Sequence, residues 1–265
     1  MSRRIKKSSR ATFAKLGVVA LFAVGLTVPA SASAGVLDSL SGWWPMYEGS
    51  GQVVHDLSGH GDNGMLGSTP GVDANDPTWI RGLLFGSALR FDGNDLVRIP
   101  DSPALDSKTV TVSAWVRSST PLGAHKYVVG KGATNYCDAS TYGLYTGSDG
   151  GLRFYMEDQN DHSLLHGSGS VAPASIWNGK WHHVAGTYDG TTAKLFVDGK
   201  LVPGGEDFPS AGIPYVTQDL GLGDFLEDCD LYYTGDIDEV AIFNTALPID
   251  KYWSALSLLF TRPLR

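Results

Sequence analysis

Residues 179–202 read GKWHHVAGTYDGTTAKLFVDGKLV, and their reading decides the fold. WHHVAGTY (181–188) and AKLFVDG (193–199) are rich in β-branched and aromatic residues, and Asp189-Gly190-Thr191-Thr192 lies between them. A short loop built on Asp-Gly between two such runs is a β-hairpin signal. A second turn, Asp198-Gly199, ends the next strand. A period of two places Trp181, His183, Ala185 and Thr187 on one face and His182, Val184, Gly186 and Tyr188 on the other. The adjacent histidines therefore point to opposite faces and cannot jointly ligate one metal from a regular strand. One is expected to pack against a sandwich and the other to face solvent or a second layer. Nothing in the sequence places a carboxylate beside either.

Outward from this hairpin the same grammar recurs. VTVSAWV (110–116), YVVGK (127–131), GLRFYM (151–156) and DIDEVAIF (236–243) are short, β-rich and separated by turns, in a chain with 33 glycines. Only Pro248 to Leu259 could hold a helix of any length. Many short strands with turn punctuation predict an all-β, two-sheet antiparallel β-sandwich or jelly roll. Trp43, Trp44, Trp115 and Trp181 fall on strands and are expected in its core.

The N-terminus reads differently. Arg3, Arg4, Lys6, Lys7, Arg10 and Lys15 form a basic leader without acids, followed by a thirteen-residue apolar run, Leu16 to Val28. PASASAG then offers two small-x-small cleavage patterns, ending at Ala32 and Ala34. This order is that of a secretory signal peptide over residues 1–34, and the run is short of the roughly 20 residues needed to span a bilayer. The mature chain, 35–265, is expected to be secreted, without a membrane span, as one domain with its core over about 42–250. The chain carries 20 Lys+Arg and 28 Asp+Glu; without the six leader bases the balance is 14 against 28, a net charge of −14. Such a surface repels phosphate backbones and argues against nucleic acid as partner, while it suits neutral sugars or divalent cations. Cys137 and Cys229 are the only cysteines. An even count in an oxidising compartment predicts one disulfide, the alternative being two free thiols.

The hairpin GKWHHVAGTYDGTTAKLFVDGKLV resembles the central hairpin of the LamG-like jelly-roll family, within the concanavalin A-like lectin/glucanase fold. WWPMYEGSGQVVHDLSGHGDNGML (43–66), GSALRFDGNDLVRIPDSPALD (86–106), VTVSAWVRS (110–118) and GDIDEVAIFNTAL (235–247) are similar to its other blocks, in family order. The D-x-S-G turn departs from the usual asparagines, reading Gly59-His60-Gly61-Asp62-Asn63. Loops 132–141 and 224–233, each with one cysteine, and the tail 251–265 are particular to this chain. The resemblance implies an extracellular sandwich that binds carbohydrate or a protein partner, with a structural calcium as a frequent addition.

The residues carry three candidate chemistries. Catalysis of the laminarinase type needs carboxylates in an E-x-D-x-E run aimed at one cleft, with two carboxyls about 5 Å apart for retention. Asp236-Ile237-Asp238-Glu239 and Glu227-Asp228-Cys229-Asp230 lack that spacing, and no G-x-S-x-G elbow appears. The expectation is a non-catalytic module, with a glycoside hydrolase-like enzyme or a purely adhesive protein as alternatives. Calcium wants six to eight oxygens; Asp56 and Asp62, on the Gly-rich turn, and Asp238, on a strand face shared with Val240 and Ile242, are the candidate ligands. Their other reading is Asx-turns and backbone N–H acceptance. Finally, a disulfide would staple the acidic loop holding Asp224, Glu227, Asp228 and Asp230 to the loop holding Tyr136 and Asp138. Tyr136, Asp138, Trp177, Asp228, Asp230 and Tyr232 are the candidate ligand-binding residues there, aromatic faces for sugar C–H groups and carboxylates for hydroxyls.

Overall fold

A computed structural model describes residues 35–83, 86–133, 140–158, 160, 165–205, 212–226 and 229–251. The described residues form sixteen strands. In chain order these are β1 (Leu40–Trp44), β2 (Val53–Val54), β3 (Gly64–Leu66), β4 (Thr78–Arg81), β5 (Ser87–Asp92) and β6 (Val97–Ile99). The middle of the chain supplies β7 (Val110–Arg117), β8 (Tyr127–Ala133), β9 (Ser140–Thr146), β10 (Leu152–Glu157) and β11 (Leu165–Gly167). The remaining five are β12 (His182–Tyr188), β13 (Ala193–Val197), β14 (Lys200–Leu201), β15 (Leu220–Leu222) and β16 (Thr234–Phe243). They make two eight-stranded sheets. Sheet A runs β14-β13-β12-β7-β16-β5-β4, with β1 also paired to β16; sheet B runs β11-β10-β9-β8-β15-β6-β3-β2.

The hairpin of 179–202 forms as its turns dictate. Asp189 Oδ1 accepts from the N–H groups of Thr191 and Thr192, both at 2.9 Å, and β12 pairs with β13 from Val184–Val197 to Tyr188–Ala193. Asp198 and Gly199, at φ +49° and +74°, make the two-residue turn into β14, the left-handed pair that matches strand twist. Val184 and Tyr188 enter the main core between the sheets, while Ala185 packs on the outer side of sheet A. At Gly186 a Cβ would lie 2.0 Å from Phe154 Cδ2 on the facing sheet, so only glycine lets the two layers close here.

β16 is the longest strand and the axis of sheet A. Its first half pairs with β5 and its second with β1, and β7 runs along the other side. A bulge between Asp238 and Ala241 marks the changeover, with Glu239 at φ +51°. The bulge shifts the alternation by one residue. Ile237, Val240 and Ile242 all enter the main core, so Asp238 does not share their face as uninterrupted alternation would have it. The outer side of sheet A carries a second apolar cluster. Leu40, Trp43, Ala185, Phe196, Ala241 and Phe243 lie there under Val36, Leu247 and Ile249 from the two ends of the described chain. Trp44 is fully buried in the core between the sheets, Trp43 and Trp115, 7% exposed, are buried on the outer side of sheet A, and Trp181 is half-buried under the guanidinium of Arg117, 4.6 Å from its ring centre.

The histidine pair is split as the alternation requires. His183 is 7% exposed, edge-on to Trp115 at 5.4 Å, and burial pulls its pKa down to about 4 against the opposing field of Asp198. His182 Nδ1 lies 2.8 Å from Asp198 Oδ2 and its Nε2 3.2 Å from Asn178 Oδ1. Asp198 also accepts from the His183 N–H at 3.0 Å. A carboxylate therefore does sit beside the pair, delivered by the hairpin register from fifteen residues away.

Candidate functional site: a polar cleft on the outer side of sheet B

Val97 and Ile99 of β6 point into the core, so the residue between them, Arg98, points out. Leu220 and Leu222 of β15 do the same, and Arg98, Gly221 and Gly130 stand side by side across β6, β15 and β8. Segment 212–219 runs into β15 along this edge, and 223–226 follows it. Together they frame a cleft of about 170 Å³. Arg98 and Gly132 line it from the sheet, Thr217, Gln218 and Asp219 from one rim, Phe225 and Leu226 from the other. A Cβ on Gly132 would fall 2.1 Å from Gln218 Cβ, which ties the glycine to the seating of that rim.

The cleft is held by ionic and backbone bonds. Arg98 Nη1 donates to Asp219 Oδ2 at 3.0 Å, and the Asp101 N–H donates to Asp219 Oδ1 at 2.9 Å. Beneath the rim lies Lys131, fully buried, whose Nζ donates to Asp101 Oδ1 at 2.5 Å and to the carbonyls of Gln218 at 2.5 Å and Val216 at 3.4 Å. A buried ammonium is tolerated only when paired and hydrogen-bonded, and here its partners are the backbone of one wall of the cleft. The opposite wall is built from 223–226 and 229–233. The Tyr233 N–H bonds Gly223 O at 2.8 Å and the Tyr127 N–H bonds Leu231 O at 3.0 Å. Phe225 stacks on Tyr127 at 4.8 Å, and the Tyr127 and Tyr155 hydroxyls are 2.7 Å apart. Half-buried Cys229 and Leu231 pack on this aromatic group.

Chemically the lining offers several donors from Arg98, an amide from Gln218, a hydroxyl from Thr217, one carboxylate from Asp219 and apolar edges from Phe225 and Leu226. That is a recognition surface for hydroxyl-rich ligands. Asp219 is the one carboxylate among the lining residues, so these residues do not supply the pair that glycoside hydrolysis uses.

The residues singled out from sequence fall unevenly around this cleft. Tyr136, Cys137, Asp138 and Asp228 lie outside the described residues, as do most of the 132–141 loop and the tail beyond Lys251. Asp230 and Tyr232 belong to the loop that forms one wall, but neither lines the cleft: Asp230 O accepts from Lys126 Nζ at 2.6 Å, and Tyr232 bridges to Tyr127. Trp177 is a core residue, 3% exposed, its Nε1 donating to Gly150 O at 2.9 Å and its ring against Tyr233; it has no face to offer a ligand. Arg98, Thr217, Gln218 and Asp219 were missed. The alternation of β6 marks Arg98 as outward-facing, but nothing local announces that segment 212–219 meets it.

Asp56, Asp62 and Asp238, the candidate calcium ligands, do not gather at one place among the described residues. Asp56 Oδ1 accepts from the N–H groups of Trp43 and Ser58, and its Oδ2 from the Ser58 hydroxyl and the N–H groups of Gly61 and Asp62, at 2.7 to 3.2 Å. Five donors saturate a carboxylate, and this is the Asx-turn reading. Asp62 is half-buried on the same turn, with Oδ2 buried and unbonded, and burial raises its pKa. Asp238 is fully buried elsewhere and accepts from the Leu83 N–H at 2.9 Å. Among the described residues no three or more His, Cys, Asp or Glu side chains gather as a metal site. Glu239, next to Asp238 and read from the sequence only as part of a run without catalytic spacing, accepts from Trp43 Nε1 at 2.9 Å while its Oε1 is buried and unbonded; burial and the adjacent Asp238 raise its pKa well above the usual value.

Comparison with known proteins agrees with this architecture. The chain belongs to a family of the Concanavalin A-like lectin/glucanases superfamily, Laminin_G_3, whose description matches residues 91–250. Domain 4 of AbnA, a GH43 extracellular arabinanase from Geobacillus stearothermophilus, solved with arabinotriose, is similar at a TM-score of 0.62 and 20% identity, over 82% of this chain and 98% of that one. The binding domain of Paraclostridial Mosquitocidal Protein 1 is similar at 0.64 and 16%, over 85% and 53%. The Botulinum neurotoxin serotype D ligand binding domain, solved with N-acetylneuraminic acid, is similar at 0.60 and 14%, over 83% and 52%. The chain spans about half the length of these toxin domains. No curated protein matches its sequence. At these identities the likeness is one of fold alone. No helix among the described residues is long and apolar enough to cross a membrane.

Proposed function

We propose that this is a secreted, non-catalytic binding module that takes carbohydrate in the cleft of Arg98, Gln218 and Asp219. The observation that carries the reading is the preformed wall: an Arg98–Asp219 pair whose backbone support is bonded to a buried lysine. Preorganised polar groups bind hydroxyls without the ordering cost a mobile loop would add. The net acidity of the chain favours neutral sugars over anionic ones. A leader with signal-peptide order supports export, and in an oxidising compartment Cys229 would pair with Cys137, clamping the 223–233 loop beside the cleft. Intact mass before and after reduction reads that bond as a gain of two hydrogen atoms, two protons and two electrons from the reductant.

A glycan array probed with the exported chain tests the function, with Arg98→Ala alongside and each repeated in calcium and in chelator. The expected result is binding to neutral glycans that Arg98→Ala abolishes and chelator leaves unchanged. Binding that Arg98→Ala leaves intact moves the site elsewhere, and chelator-sensitive binding restores a cation to it. Silence on every glycan favours an extracellular protein as the partner instead.

A further inference from the structure

One large aromatic residue stands out of the segment that forms a wall of the cleft. Tyr215 is 59% exposed, so most of its ring is open to solvent. Its neighbours explain its posture. Ile213 is 2% exposed in the main core, Pro214 and Val216 are buried, and Tyr215 and Thr217 alternate with them as exposed residues. In a chain alternating in this way, residues two apart project to the same side, roughly 6.5 Å from each other. Thr217 lines the cleft, and Tyr215, two residues before it and exposed like it with a buried residue between them, stands next along the segment beyond the lining. That spacing is on the scale of one glycosidic repeat.

The segment is also held from below. Lys131 Nζ donates to the carbonyls of Val216 and Gln218, the residues on either side of Thr217. Tyr215 is thus presented by backbone that a buried charge fixes in place, rather than by a free loop. A tyrosine ring has two torsions to lose, an apolar face for sugar C–H groups and a hydroxyl for their oxygens, at low entropic cost.

We propose that Tyr215 is the stacking platform of a second subsite. The ligand is then a linear neutral oligosaccharide of at least two linked units, one unit hydrogen-bonded in the Arg98–Asp219 cleft and the next stacked on Tyr215. This rests on the carbohydrate reading of the cleft and adds length to it: a single sugar occupies the cleft alone, and affinity rises with the second unit.

Titration calorimetry with arabinose, xylose and glucose and their oligomers of two to six units tests this on wild type, Tyr215→Ala, Tyr215→Phe and Arg98→Ala. The exposure of Tyr215 makes all its variants compatible with folding. Tyr215→Ala is expected to weaken the best-binding oligomer by about tenfold while leaving its monomer unchanged, and Tyr215→Phe to restore the loss. If Tyr215→Ala weakens monomer and oligomer alike, or neither, the second subsite is wrong. If wild type binds and Arg98→Ala abolishes binding while Tyr215→Ala has no effect, the cleft stands and the platform falls. If wild type binds no member of the ladders, the carbohydrate reading fails, and the platform with it.

Discussion

The outer sides of the two sheets make an instructive pair. On sheet A the rows facing away from the core are closed: Trp43, Ala185, Phe196 and Phe243 lie under the ends of the described chain, and Asp238, Trp115 and His183 beside them are buried. Where charge appears on this side it is spent internally. Asp236 holds Arg90 through Nε at 2.7 Å and Arg117 at 2.6 Å, across three neighbouring strands. On sheet B the corresponding side carries Arg98 and Gly132, and irregular segments 212–219 and 223–226 frame a cleft over them. Regular pairing closes one surface into structure, and the places where pairing gives way to loops build the other into a site. Substitutions on sheet A should therefore be felt in stability, and those around the cleft in binding.

The largest effect is expected at the junction between the sheets. Gly186→Leu forces a side chain into Phe154 and should lower unfolding free energy by about 3 kcal/mol or more, read as a lower midpoint in urea. Close behind is His183, held neutral in the fold at a pKa of about 4 against 6.5 unfolded. Its unfolded form takes up a proton first, so stability present above pH 6.5 drains away as pH falls toward 4, by about 3 kcal/mol at most. His183→Phe should flatten that acid branch in melts across this range. Glu239 carries the opposite sign. Its raised pKa means the fold keeps a proton that the unfolded chain releases, so stability declines as pH climbs past the usual glutamate range. Glu239→Gln should remove that decline and stabilise the protein at neutral pH. The smallest change in stability is expected at Arg98→Ala, under about 1 kcal/mol, because the pair with Asp219 is partly exposed; binding should nevertheless fall at least tenfold. A stability loss at Arg98 as large as that at Gly186 would dissolve the contrast between the two sides.

How far these regions were legible in sequence follows the same divide. The hairpin of 179–202, the opposing faces of His182 and His183 and the two-sheet sandwich rest on local pairing rules, and those rules survive folding. Even Asp198 was within reach, since the hairpin register places it opposite His183. Alternation failed at Asp238 because a single bulge residue, Glu239, reverses the face, and no residue type advertises a bulge in advance. The site was less legible. The sequence pointed to the 224–233 loop and its cysteine, which does form one wall, yet the chosen residues were the conspicuous ones. Trp177 and Tyr232 were read as platforms because aromatic side chains in loops suggest them; the core absorbed the first, and the second, half-buried on the 229–233 stretch, stands outside the lining of the cleft. The residues that do line the cleft, Thr217, Gln218 and Asp219, belong to an unremarkable stretch. They acquire their role only when Lys131, some ninety residues earlier, holds the Val216 and Gln218 carbonyls beside Arg98.

The central claim is that carbohydrate is bound on sheet B's outer side and sheet A's is structural. Backbone amide chemical shifts of the isotope-labelled protein, titrated with the oligosaccharide that binds best, test it most directly. The account predicts perturbations concentrated at Arg98, Gly132, Tyr215 to Asp219 and Phe225 to Leu226, with Arg90, Arg117 and Phe196 unmoved. Perturbations gathered around Arg90, Asp236 and Trp181 instead would contradict it.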